Sequence, residues 1–291
     1  MPLSPEILIQ AVANGLLMGA IYALIALGLT LIYGVLHIIN FAHGALLTAA
    51  LFAAFFADRI LGIDPWLSVL VLAPGFFALG YLLQRLVIWP ASRGEDRAIL
   101  LVTLGLAVII ENGLLFHFRS DTRTIDHPFA FAVVELGALL LPTTRVVAFA
   151  AALAVAAGLG LFLAATDTGR AIRAVAKERL GAELSGVDVA HIYAVTFGLG
   201  TACLAVAACL LLPSFYVTPQ VGNAFVLVAF TIVVLGGMGS VPGALAGGLF
   251  IGVVESLTGL VWGETLGQLG IFLIFILVLL VRPQGLFGAK A

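Results

Sequence analysis

Apolar residues run along this chain in blocks, and most of the blocks are as long as a membrane is thick. A helix crosses the hydrocarbon of a bilayer with roughly 20 apolar residues. The first block, residues 7–33, is long enough to cross with tilt. A polar interruption follows at residues 34–44 (GVLHIINFAHG), and then a shorter apolar piece at 45–57. Asp58, Arg59, Asp64 and Pro65 mark a loop. Residues 66–89 form the next span, with Pro74 as an expected kink. After a charged loop at 90–97 come spans at 99–118, 146–165 and 189–212, then a short piece at 224–235 and spans at 244–260 and 266–281. Residues 119–142 read as a mixed loop whose one apolar patch lies on the membrane surface, and 213–223 as a loop or re-entrant turn. The pattern predicts about nine crossings, or eight if one short piece only dips in.

Composition agrees with the pattern. Of 291 residues, 63% are hydrophobic and 10% charged, where soluble domains carry about 25% charged residues. The expected fold is all-α, a polytopic integral membrane bundle in a single domain over residues 1–291. Thirty-three glycines suit close helix approach in lipid. The runs are continuous, unlike the short alternating segments of a β-barrel. Cys203 and Cys209 share one apolar run and lie about 240° apart around a helix, so buried thiols are expected and a disulfide is not. The N-terminus, MPLSPEILIQ, has no basic region of the signal-peptide type, so the first block is expected to stay as an anchor. The net charge of −2 gives no reason to expect nucleic acid as a partner.

One stretch breaks the apolar monotony. Residues 167–188, DTGRAIRAVAKERLGAELSGVD, carry Arg170, Arg173, Lys177 and Arg179, four of the 13 basic residues. Ile172, Ala176, Leu180 and Leu184 recur every four residues with Val175 beside them, which predicts one helix with a narrow apolar face. Asp167 or Thr168 is the expected cap, and Gly186 the expected stop. With nine crossings, Arg85, Arg93, Arg97, these four basics, Arg282 and Lys290 fall on one side. Arg59, Arg119, Arg123 and Arg145 fall on the other. The positive-inside rule then puts this stretch and the C-terminus in the cytoplasm and the N-terminus outside. A second regularity is a helix broken by glycine and polar residues and followed by a short helix, at 7–57 and again at 224–260. Paired broken helices in two halves point to a transport path.

Candidate chemistry is sparse. A phosphate-binding loop needs a Lys followed by Ser or Thr after G-x-x-x-x-G. The only lysines, Lys177 and Lys290, precede Glu178 and Ala291. His37 and His43 have no acidic companions, which is a poor zinc set. Neither a catalytic constellation nor a metal site is expected. Four places remain. Asn40 and His43 sit in a helix break that either lines a solute path or is a turn in which Asn40 caps the next helix. Glu111 and Asn112 lie deep in their apolar run, where a charge costs roughly 2.5–3.5 kcal/mol on insertion scales. They either face a polar cavity or lock helices together. Glu255 has the same two readings, with Thr258 within one turn. Gly34, Gly44, Gly236, Gly237, Gly239 and Gly243 are either packing positions or hinges, and Gly243-x-x-x-Gly247 is a small-xxx-small face.

These residues together resemble a known family. Asn14-Gly15, Gly19-Ala20-Ile21-Tyr22-Ala23-Leu24, Gly28 to Gly34 (GLTLIYG), Ile39 to Gly44 (INFAHG), Gly169 to Ala176 (GRAIRAVA), Ala182 to Gly186 and Leu235 to Gly243 (LGGMGSVPG) are similar to the permeases of branched-chain amino acid ABC importers, the smaller H-type subunit. The resemblance implies pairing with a homologous M-type permease, two cytoplasmic ATPase subunits that bind the ATP, and a periplasmic solute-binding protein. It implies no cofactor on this chain and a bacterial inner-membrane location. It also implies that residues 166–188 form the coupling loop on which an ATPase docks. Such loops often carry E-A-A…G, and here the residues are Glu178-Arg179-Leu180-Gly181-Ala182 and then Gly186. Relatives of this architecture also import urea, short amides and other small acids. Two rivals stand beside this reading. One is a self-sufficient secondary transporter that couples protons through Glu111 and Glu255. The other is a membrane enzyme, for which no motif speaks.

Overall fold

The computed structural model describes residues 4–92, 96–137, 139–282 and 285. Arg93 and Lys290, used in the charge asymmetry, lie outside the described residues. Among the described residues, nine apolar helices match the nine expected segments. They are α1 (Pro5–Leu36), α2 (His43–Leu61), α3 (Pro65–Leu83), α5 (Asp96–Phe118), α6 (Thr143–Ala165), α9 (Val189–Leu211), α10 (Gly222–Gly236), α11 (Val241–Trp262) and α12 (Gly267–Val281). Helix α3 runs through one wide turn at Gln84–Ile88 into α4 (Trp89–Ser92), so the whole segment is long enough to span. Seven segments reach spanning length, while α10 and α12 are 15 residues each.

Glycine decides where helices meet. Helix α1 lies at the centre, and a Cβ on Gly15 or Gly19 would stand 2.7 Å from the carbonyl oxygen of Gly252 or Gly248 on α11. Gly28 meets Gly200 on α9 just as closely, and Gly34 meets Gly239. Backbones in such contact leave no room for side chains, which is how small residues join helices where lipid offers no hydrophobic drive. Helices α3 and α9 are joined by Thr201, which donates to the Phe76 carbonyl at 2.8 Å. Cys203 and Cys209 are free and buried in α9.

Two expectations change here. Gly34 packs against Gly239 inside α1, which continues to Leu36 and ends at His37 in the left-handed conformation (φ 55°). The helix break is therefore confined to residues 37–42, shorter than the 34–44 interruption. The apolar patch of the 119–142 loop is a hairpin, β1 (Val133–Leu136) against β2 (Leu139–Pro142). It is tied to α1 by Gln10, which donates to the Leu140 carbonyl at 2.6 Å and accepts from its N–H at 3.0 Å. Two strands pair to satisfy backbone groups that a loop near lipid leaves open. The hairpin and the start of α1 therefore share one face of the bundle. Helix α6 leads away from that face to α7 (Asp167–Lys177) and α8 (Arg179–Leu184).

Candidate functional site

Two helices begin inside the bundle rather than at its surface. His43, the first residue of α2, places Nε2 2.9 Å from the Ile25 carbonyl. Ile25 lies about 16 Å before the end of α1, at 1.5 Å per residue. A carbonyl only accepts, so Nε2 carries the proton and Nδ1 is left buried with no partner. One residue on, Gly44 meets Gly222, the first residue of α10. The Gly222 N–H donates to Thr48 Oγ1 at 3.0 Å, and Thr48 donates to the Gly44 carbonyl at 3.1 Å. The first turns of α2 and α10 are thus clasped together inside the bundle, each presenting the positive end of its helix dipole. Asn40 is buried, its Oδ1 accepts from the Ala42 N–H at 3.0 Å, and its Nδ2 has no partner. Asn40 does not cap α2, whose N-cap is Ala42 with no side-chain cap bond; instead it closes the turn before the helix and keeps an orphan donor.

Glu111 reaches this junction. Its Oε1 accepts from Asn223 Nδ2 at 3.2 Å, and Asn223 is the second residue of α10. Asn112 does not join them, because its Nδ2 donates to Val108 on its own helix at 2.8 Å and the residue is exposed. Glu255 sits elsewhere. It packs against Gly267 at the start of α12, and Tyr22 of α1 lines the same space. It faces a cavity of about 720 Å³. The structure therefore joins Glu111 to the α2–α10 junction and gives Glu255 a different set of neighbours. Gly236 and Gly243 pack on each other, while Gly237 and Gly239 (φ 88° and 90°) form the turn between α10 and α11. Thr48, Gly222 and Asn223 were missed in the sequence. The signal available was a Gly-Asn pair just before an apolar run, on the second of the two broken helices.

The basic stretch differs from its expectation in a way that matters. It is two helices, not one. Thr166, rather than Asp167 or Thr168, caps α7 through the Gly169 N–H at 2.9 Å. Arg170 pairs with Asp167. The backbone turns extended at Glu178, whose carboxylate caps α8 by accepting from the Leu180 N–H at 3.3 Å. The four-residue spacing is interrupted at that point, so the five apolar residues do not form one ridge. Ile172 and Val175 are each 2% exposed, and α7 packs against α1, α6 and α9. Ala176 is half-buried, and Arg173 and Lys177 are exposed. Leu180 and Leu184 stand 64% and 82% exposed on α8. Gly186 (φ 86°) stops the segment as expected, with its N–H on the Glu183 carbonyl at 3.0 Å. Arg179 holds α8 in place by lying over the rings of Trp89 and Tyr193, 5.6 and 5.8 Å from their centroids.

A helical membrane bundle with two helices that start at depth, polar groups at their meeting point and no phosphate-binding loop has the build of a transport protein that moves small solutes. The chain belongs to the family described as branched-chain amino acid transport system / permease component, whose pattern matches residues 11–281. It is 35% identical to the high-affinity branched-chain amino acid transport system permease protein BraD of Pseudomonas aeruginosa, covering 98% of this chain and 97% of that one. It is 33% identical to LivH of Escherichia coli, over 96% and 95% of the two chains. Among solved structures it resembles PsaBC from Streptococcus pneumoniae in complex with Fab, with a TM-score of 0.52 and 14% identity over 94% and 92% of the chains, a likeness of fold.

Proposed function

We propose that this chain is the H-type permease subunit of an ABC importer for branched-chain or similar small amino acids in a bacterial inner membrane. The observation that carries this reading is the end-to-end similarity to BraD and LivH, which reaches across every spanning helix and the α7–α8 loop. In this reading the face bearing α7 and α8 is cytoplasmic, as is the C-terminus, and the hairpin face is periplasmic. A homologous M-type permease covers the open side of α5. The solute path runs past Glu111, Asn223 and the paired first turns of α2 and α10. Two ATPase subunits bind the ATP, and one of them docks on the exposed Leu180 and Leu184 of α8. A periplasmic binding protein delivers the solute. Closure of the ATPases rocks the helix pairs, and access alternates around the midplane.

The test is co-purification followed by reconstituted uptake. Tagged chain drawn from its native host is expected to bring a second permease and two ATPases, and vesicles containing that assembly are expected to accumulate leucine only with ATP. A single chain that accumulates leucine at full rate without ATP sinks the proposal in favour of a secondary transporter.

A further inference from the structure

A second polar site lies away from the α2–α10 junction. The 720 Å³ cavity between α1, α6, α11 and α12 is within the size range of small-molecule pockets. Five glycines are among its lining residues, and Gly15 and Gly252 mark the edge where α1 and α11 touch. Two opposite charges face it. Glu255 lines it on the α11 side, with Tyr22 of α1 on the same wall. Arg145, in the first turn of α6, comes from the other. Both line the same cavity, yet among the described residues no ion pair joins them and Arg145 has no side-chain hydrogen bond. Asn14 lines the same cavity, and its Oδ1 is buried with no donor. A half-buried guanidinium and carboxylate that do not meet are costly within a membrane protein, and a group that bridges them removes the cost.

We infer that this cavity is a binding site for a small zwitterion, with Arg145 holding its anionic group and Glu255, aided by Asn14, its ammonium. The shared chemistry is an ammonium and an anionic oxygen group a few atoms apart. Two sources supply it, a free α-amino acid and the headgroup of an aminophospholipid. The site lies on the hairpin face, so its ligand comes from that side of the bilayer. The inference does not depend on where ATP is used or on which partner covers α5.

The experiment uses the full chain in nanodiscs. One arm measures binding of labelled L-leucine in discs of phosphatidylglycerol alone. The other measures, by native mass spectrometry, phosphatidylethanolamine retained from mixed discs. At least one ligand is expected to bind the unaltered chain. Glu255→Gln and Arg145→Gln are each expected to weaken it by roughly ten- to a hundredfold, the worth of a hydrogen bond to a charged group. Arg145→Lys, which keeps the charge, is expected to recover part of the loss. Leucine in the first arm identifies the amino acid as the ligand, and retained lipid in the second identifies the headgroup. If the unaltered chain binds neither, the inference is overturned, and this result needs no variant to fold. It is equally overturned if binding is indifferent to both Gln variants. ATP-driven uptake that persists when the cavity binds nothing leaves the importer reading intact and removes this one alone.

Discussion

Helices α1 and α5 are nearly equally apolar, yet the chain treats them in opposite ways. In α1, 89% of the most apolar window is buried within the chain, and in α5 only 11% is. Hydropathy says that a segment prefers lipid or protein to water. It does not distinguish lipid from protein. The glycines do. Gly15, Gly19, Gly28 and Gly34 on α1 each touch backbone of another helix or turn, whereas Gly105 and Gly113 on α5 have nothing within 4 Å. Helix α1 is thus fixed inside the fold, and α5 presents an open flank that also carries Asn112.

The hardest break of this contrast is Gly19→Leu. Its side chain has no space beside the Gly248 carbonyl, and overpacking a contact made by two backbones costs about 3 kcal/mol or more. The expected result is loss of monodisperse protein after detergent extraction. Gly113→Leu on α5 is expected to leave the isolated chain as stable as the original, measured by its thermal midpoint. It is also expected to reduce recovery of the second permease. An equal loss from both variants ends the distinction between fixed and open helices.

A second contrast lies within the basic stretch. Ile172→Asp buries a carboxylate under α1 and α9, and it is expected to abolish folded protein in a membrane extract. Leu180→Asp changes a side chain that stands in the open, so insertion is expected to be normal while ATP-driven uptake falls at least about tenfold, as for loss of one hot-spot contact. Normal uptake by Leu180→Asp removes α8 as the docking element. Recovery of folded Ile172→Asp removes α7 as its anchor.

Much of this architecture was legible in the chain. Nine apolar runs gave nine helices because the bilayer sets their length, and that constraint acts locally on each run. Other features depend on partners far along the chain. The four-residue spacing of Ile172, Ala176, Leu180 and Leu184 fits a continuous helix, and only a capping carboxylate at Glu178 divides it. Arg145 registered as one of a set of basic residues. Its place opposite Glu255 depends on the contact of α1 with both α6 and α11, which no local pattern encodes. The hairpin at 133–142 was hidden for a similar reason, because its second strand is tied to Gln10, 130 residues away.

The smallest effect is expected where the junction meets the open flank. Glu111 and Asn223 hold the start of α10 to α5 through one partly exposed hydrogen bond. Glu111→Gln keeps the size and an oxygen that still accepts from Asn223 Nδ2, so the bond survives while the charge goes. If Glu111 serves only to tie helices, yield and uptake both stay near the original. If the carboxylate lines the path, the yield is unchanged and uptake shifts by a few-fold, in line with about 1 kcal/mol for one charge-assisted contact in partly wet surroundings. The expected result is the second. Asn223→Asp is the complement, because two carboxylates then face each other at the paired first turns of α2 and α10. Uptake is expected to fall further than in Glu111→Gln and to recover in the double variant, where the repulsion is gone. A double variant no better than Asn223→Asp alone means that the two residues are neighbours without coupling, and it returns Glu111 to the role of a structural tie.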